Sequence, residues 1–90
     1  MKKITLSEFW NSKQDLAIHC DTEEKANKLL MAFDKLDKRW SNTHKYTSFN
    51  NYEVFEDKTC YSNHRAFWRY EGYSNFGYTI YAFEDVDLEN

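Results

Sequence analysis

Leu16-Ala17-Ile18-His19-Cys20-Asp21-Thr22-Glu23-Glu24-Lys25-Ala26 decides the fold class, because a strand and a helix start meet inside it. Leu16, Ile18 and Cys20 alternate with Ala17 and His19, the period-2 pattern of a half-buried strand. Thr22 then offers an N-cap, and Glu23 and Glu24 put acids in a first turn, where the helix dipole favours negative charge. Downstream, Ala26, Leu29, Leu30, Phe33, Leu36 and Trp40 recur at three- and four-residue spacing, with Lys25, Lys28, Lys35 and Lys38 on the remaining surface. This spacing predicts one amphipathic helix over about 22–39.

Upstream of that stretch, Thr5-Leu6-Ser7-Glu8 is a capping box, with Ile4 and Phe9 placed as a hydrophobic staple, and predicts a short helix from about Leu6 to Asn11. Downstream, Ser41-Asn42-Thr43 reads as a loop, after which aromatic and polar residues alternate. Tyr52 to Glu56 and Thr59 to Ser62 flank Asp57-Lys58 at the spacing of a two-residue hairpin. Ala66 to Glu71 and Tyr78 to Phe83 read as two more strands joined by a loop from Gly72 to Gly77. The expectation is a single α+β domain over 1–90, two helices on a mixed or antiparallel sheet of four or five strands. Its core would hold Trp10, Leu16, Ile18, Leu29, Leu30, Phe33, Leu36, Val54 and Ile80.

Composition narrows the chemistry. Only two glycines and no proline occur in 90 residues, so neither a phosphate-cradling Walker loop nor a dinucleotide fingerprint can be written. The 12 Lys+Arg against 15 Asp+Glu argue against a binder of long nucleic acid, which is usually strongly basic. Met1-Lys2-Lys3 is not followed by the apolar run of a signal peptide, and no stretch approaches a membrane span, so the expected compartment is the cytoplasm. Cys20 and Cys60 are accordingly expected as free thiols. Cys20, His44, Cys60 and His64 are a weak zinc set without two tight ligand pairs, and His19 and Cys20 would point to opposite faces of one strand. No metal or other cofactor is expected, and the three scattered histidines form no catalytic motif, so the chain is read as non-catalytic.

Aromatics make up 19% of the chain, and the segment from Lys45 to Tyr78 carries most of the suggestive chemistry. Tyr46, Phe49, Tyr52, Tyr61, Phe67, Trp68, Tyr70, Tyr73 and Phe76 are interleaved there with Lys45, His64, Arg65 and Arg69. So many rings on alternating strands predict an exposed set, on which bases could stack while arginine forks a phosphate. Arg65 and Arg69 are four apart and would share a face with Phe67 if the stretch is extended. The candidate ligand-binding set is therefore Lys45, Tyr46, His64, Arg65, Phe67, Trp68, Arg69, Tyr70 and Tyr73. The same residue types line protein or homo-oligomer interfaces. The run Glu84-Asp85-Val86-Asp87-Leu88-Glu89 reads as an acidic tail, either solvated or a contact for a basic partner.

Lys3 to Trp10, Leu16 to Ala26 and Tyr78 to Val86 resemble small phage and prophage accessory proteins of AT-rich Gram-positive bacteria. The resemblance implies counter-defence work in the host cytoplasm. The first reading is the sequestration of a small nucleotide immune signal in an aromatic and arginine-lined pocket. Its alternative is anti-CRISPR-like inhibition of a host defence protein, through exposed aromatics or the acidic tail.

Overall fold

The computed structural model describes residues 3–40, 44–48 and 50–88. Ser41-Asn42-Thr43, Phe49 and Glu89, assigned above to a loop, a ring and the tail, lie outside the described residues. In chain order the elements are β1 (Ile4–Thr5), α1 (Leu6–Asn11), β2 (Leu16–His19), α2 (Glu23–Lys35), α3 (Tyr52–Phe55), β3 (Thr59–Ser62), β4 (Phe67–Arg69), α4 (Tyr70–Asn75), β5 (Thr79–Ala82) and β6 (Val86–Asp87). Three 3-10 turns, Tyr46–Ser48, Glu56–Lys58 and Phe83–Asp85, punctuate them.

The expected α+β class holds. A mixed four-stranded sheet runs β4-β3-β2-β5, with β2 antiparallel to β3 and parallel to β5. A small second sheet pairs β1 with β6 in parallel, Ile4 opposite Val86. The capping box forms as its spacing requires: the Glu8 amide donates to Thr5 Oγ1 at 3.1 Å, and the Thr5 amide to Glu8 Oε1 at 3.0 Å. Thr22 caps α2 by accepting from the Lys25 amide at 3.2 Å.

Strand alternation sorts the core into two layers. Leu16 and Ile18 of β2 and Tyr61 of β3 are buried under α1 and α2, against Leu6, Phe9, Leu29, Leu30 and Phe33, with Phe67 and Tyr81 packed alongside. Ala17 of β2 and Cys60 of β3 face the opposite way and are buried under Tyr73 of α4, with Trp68, Tyr78 and Ile80 packed around them. The sheet is thus covered on both faces, and rings that two helices could not shelter are taken up by α4. No helix of the described residues is long and apolar enough to cross a membrane.

Four local expectations are corrected. The long helix stops at Lys35, because Asp37 enters the left-handed region at φ 59° and closes the end with amide bonds from Asp37 to Asp34 O and Lys38 to Phe33 O. Leu36 is consequently left 41% exposed, outside the core, while Trp40 still reaches it beyond the turn. The hairpin about Asp57-Lys58 does not form. Both edges of β3 are already paired, with β2 and β4, and residues 52–58 instead coil into α3 and a 3-10 turn. The Thr59 hydroxyl secures that turn on Glu56 O at 2.8 Å, and Val54 lies 56% exposed rather than in the core.

The strand expected to reach Glu71 ends at Arg69, and the loop expected from Gly72 to Gly77 is α4 with its cap. Gly77, at φ 82°, ends α4 with amide bonds from Gly77 to Ser74 O and Tyr78 to Tyr73 O, the left-handed position that glycine fills most readily. Lastly, the acidic tail folds back: Val86 is buried, Leu88 packs on the larger core, and Glu84 Oε2 holds Lys25 Nζ at 2.5 Å. Hydrogen bonds to Lys25 keep the carboxyls of Asp21 and Glu84 below the usual range.

Tyr46 is fully inside, against Phe33 at 5.0 Å and Trp40 at 4.5 Å, and among the described residues its hydroxyl is buried without a partner. Burial also drives its acidity far down, the phenol staying protonated well above its ordinary pKa. An unbonded buried hydroxyl costs ~1–3 kcal/mol of desolvation, so Tyr46→Phe is expected to raise stability by about 1 kcal/mol in chemical denaturation. A loss of that size would show that the hydroxyl is bonded in solution.

Candidate functional site

The surface richest in the sequence-nominated residues is built by β4 and α4. Period-2 geometry sends Phe67 to the larger core and Trp68 to the opposite face, where Trp68 is half-buried. One turn into α4, Gly72 lies directly against the Trp68 indole: a Cβ at Gly72 would stand 2.6 Å from two of its ring carbons. Around the indole, Tyr73 packs edge-on at 5.7 Å and Phe76 lies tilted at 5.2 Å, while Arg69 Cζ sits 5.9 Å from the ring centroid. Phe76 is 69% exposed and Tyr70, packed on His19 at 5.1 Å, is 40% exposed. Lys58 Nζ and Glu71 Oε1, 3.5 Å apart, flank the patch.

From Tyr73 the row of rings continues to Tyr78 at 4.5 Å and on to His64 at 6.0 Å. His64 Nε2 is 2.6 Å from Asp15 Oδ1. The fold therefore gathers Trp68, Arg69, Tyr70 and Tyr73, with His64 at the far end of the row. Tyr46 and Phe67 belong to the other side of the sheet, each beside Trp40. Lys45 is exposed and bridges through its backbone to Arg39. Arg65 sits in the turn between β3 and β4 at φ 63°, off the strand, so the expected shared face of Arg65, Phe67 and Arg69 is not formed.

Phe76 and Gly72 stand outside the sequence-nominated set although both shape this surface. A ring with polar neighbours is as consistent with a loop as with a helix, and the close approach of Gly72 depends on α4 docking.

The thiols offer no nucleophile here. Cys20 and Cys60 are free, buried and belong to opposite faces of the sheet. Burial raises both, that of Cys60 to about 12 with help from the nearby Glu71 charge, so each stays protonated at neutral pH. Among the described residues no group of three or more His, Cys, Asp or Glu side chains could hold a metal ion.

A cleft of about 740 Å³ lies elsewhere, between α2 and residues 46–47, 50–51 and 53. It is lined by Glu23, Asn27, Leu30, Met31, Tyr46, Thr47, Asn50, Asn51 and Glu53. Of the nominated residues only Tyr46 reaches it, and among the described residues no lysine or arginine lines it. Its walls come from segments some 20 residues apart, so no short motif could have marked it. Comparison with protein-family models, with curated proteins and with solved structures finds no match to this chain.

Proposed function

We propose that this chain is a non-catalytic protein-binding module of the counter-defence type, which inhibits a host defence protein by docking on it through the β4–α4 surface. The observation that carries this reading is the exposure of Phe76 and Tyr70 beside a half-buried Trp68 on which Arg69 rests. Tryptophan, tyrosine and arginine dominate binding hot spots, because they desolvate large areas with few rotamers to freeze. Here the indole is held in advance by Gly72 and Tyr73, which lowers the entropy lost on docking. The resemblance of the chain's ends to phage accessory proteins supports a defence protein as the partner.

A second reading, sequestration of a nucleotide signal, draws on the same platform: Trp68 and Phe76 could stack a base while Arg69 met a phosphate. It is the less favoured because the rings of the patch stand exposed rather than enclosing a ligand, and the cleft beside α2 presents Glu23 and Glu53 where phosphate would need cations.

One design separates the two. The purified protein is incubated with cyclic dinucleotides and ADP-ribose-derived signals and then heat-denatured, and the released compounds are analysed. In parallel, a partner co-purified from a bacterial host is reconstituted with wild type, Phe76→Ala and Arg69→Ala. The inhibitor reading expects no retained nucleotide and a loss of about 2 kcal/mol of affinity in each variant, near thirtyfold, with thermal midpoints unchanged. Release of intact nucleotide that Arg69→Ala abolishes would favour sequestration, and release of a converted product would reveal an enzyme.

A further inference from the structure

We infer that the cleft beside α2 is a second binding site, which takes an arginine or lysine side chain of an extended basic segment in a protein partner. This goes beyond the aromatic-surface reading and does not depend on it. Glu23, Asn27, Leu30 and Met31 fall at i, i+4, i+7 and i+8 of α2 and form one wall as a single helical stripe. The facing wall is strapped to that helix at both ends. At one end the Asp34 carboxylate accepts the Tyr46 amide at 3.2 Å and the Thr47 hydroxyl at 2.5 Å. At the other, Asn50 Nδ2 donates to Glu23 Oε2 at 3.0 Å and Asn27 Oδ1 at 2.8 Å, and Asn50 Oδ1 accepts the Tyr52 amide. The cleft is thus formed before any ligand arrives, and its volume is that of ordinary ligand pockets.

Its chemistry is one-sided. Leu30 and Tyr46 are buried at its apolar base and Met31, 54% exposed, adds a flexible apolar wall. The remaining lining is polar, from Glu23, Glu53, Asn27, Thr47, Asn50 and Asn51. Neither glutamate has an ion-pair partner among the described residues, and Glu53 makes no hydrogen bond there. An apolar stem ending in a cation fits that layout: the methylenes of arginine or lysine cover Leu30 and Met31 while the head meets carboxylate and carbonyl oxygens. Arginine fits better, since its planar fork can engage a carboxylate and an amide oxygen together. The cleft is open to solvent and, at about 740 Å³, roomier than one side chain needs, which favours a residue carried on an extended backbone. The net charge of −3 makes approach by a basic segment favourable over a longer range.

The test is a titration followed by amide chemical shifts, using a short capped peptide with a central arginine between two leucines, and its glutamine and glutamate counterparts. The arginine peptide is expected to shift Asn27, Thr47 and Asn51 saturably, with a dissociation constant on the order of 1 mM or tighter. The glutamine peptide should bind about tenfold more weakly, and the glutamate peptide not measurably. Glu53→Gln, which removes no hydrogen bond, should weaken the arginine peptide severalfold, and Glu23→Gln/Glu53→Gln at least about tenfold, with other resonances unmoved. Phe76→Ala should leave this binding intact, so failure here and failure at the aromatic surface are separable. Equal binding of the glutamine peptide, shifts confined to residues 68–76, or no saturation at millimolar peptide would overturn the proposal. So would binding of spermidine that the arginine peptide cannot displace.

Discussion

Phe33→Ala is expected to remove ~3–5 kcal/mol of folding stability, the range for deleting a buried ring whose neighbours cannot close the gap. Phe33 is fully buried on α2 and packs against three rings: stacked on Phe9 at 6.0 Å, edge-on to Trp10 at 4.9 Å and to Tyr46 at 5.0 Å. Those rings come from α1 and the 3-10 turn at Tyr46–Ser48, so the cavity would open where three segments meet. A chain of this length holds only roughly 5–14 kcal/mol in total. The thermal midpoint should therefore fall by at least ~12 °C, at about 4 °C or more per kcal/mol. Met31→Ala, two residues earlier on the exposed side of the helix, should change stability by no more than ~0.5 kcal/mol. Equal midpoints for the two variants would contradict the packing of α2 on α1.

Gly72→Ala pits two effects of opposite sign against each other. Within a helix, alanine is favoured over glycine by about 1 kcal/mol, so α4 taken alone would gain. The new methyl would, however, stand 2.6 Å from two carbons of the Trp68 ring and 2.8 Å from a third, closer than carbon atoms approach, so the ring, which packs edge-on to Tyr73, would have to shift. Overpacking of this kind costs up to ~3 kcal/mol, so the net expectation is a loss near 2 kcal/mol. The measurable signature is double: a lower denaturation midpoint, and a changed near-ultraviolet signal as Trp68 is displaced. Partner binding should weaken beyond what the stability loss explains, since the same ring carries the proposed interface. A rise in midpoint would mean that α4 does not rest on Trp68.

Much of the architecture was legible because its causes are local. Thr5 with Glu8, and Thr22 before Glu23 and Glu24, announce helix starts through bonds that span three residues. Leu16-Ala17-Ile18, Thr59 to Ser62 and Thr79 to Ala82 announce strands by a period of two, and Ala26, Leu29, Leu30 and Phe33 a helical face by spacings of three and four. These signals sufficed for the α+β class and, of the expected core, for Leu16, Ile18, Leu29, Leu30 and Phe33, while Trp10 is only partly buried and Ile80 packs on the opposite face of the sheet.

Of the candidate surface, Trp68, Arg69, Tyr70 and Tyr73 could be nominated from residue type alone, but their separation from Tyr46 and Phe67 could not. Alternation within β4 says that Phe67 and Trp68 part company, and only the packing of two helical layers says what each then meets. Likewise Asp37 ends α2 in a left-handed turn without the usual glycine, residues 52–58 coil because β2 and β4 have already taken both edges of β3, and the cleft joins α2 to a wall from a separate segment, residues 46–47, 50–51 and 53. Capping and periodicity act over a few residues and are written in the local sequence. Occupancy of strand edges, coverage of a second sheet face and the closing of a cleft are set by contacts between distant segments, so they exist only once the chain has folded.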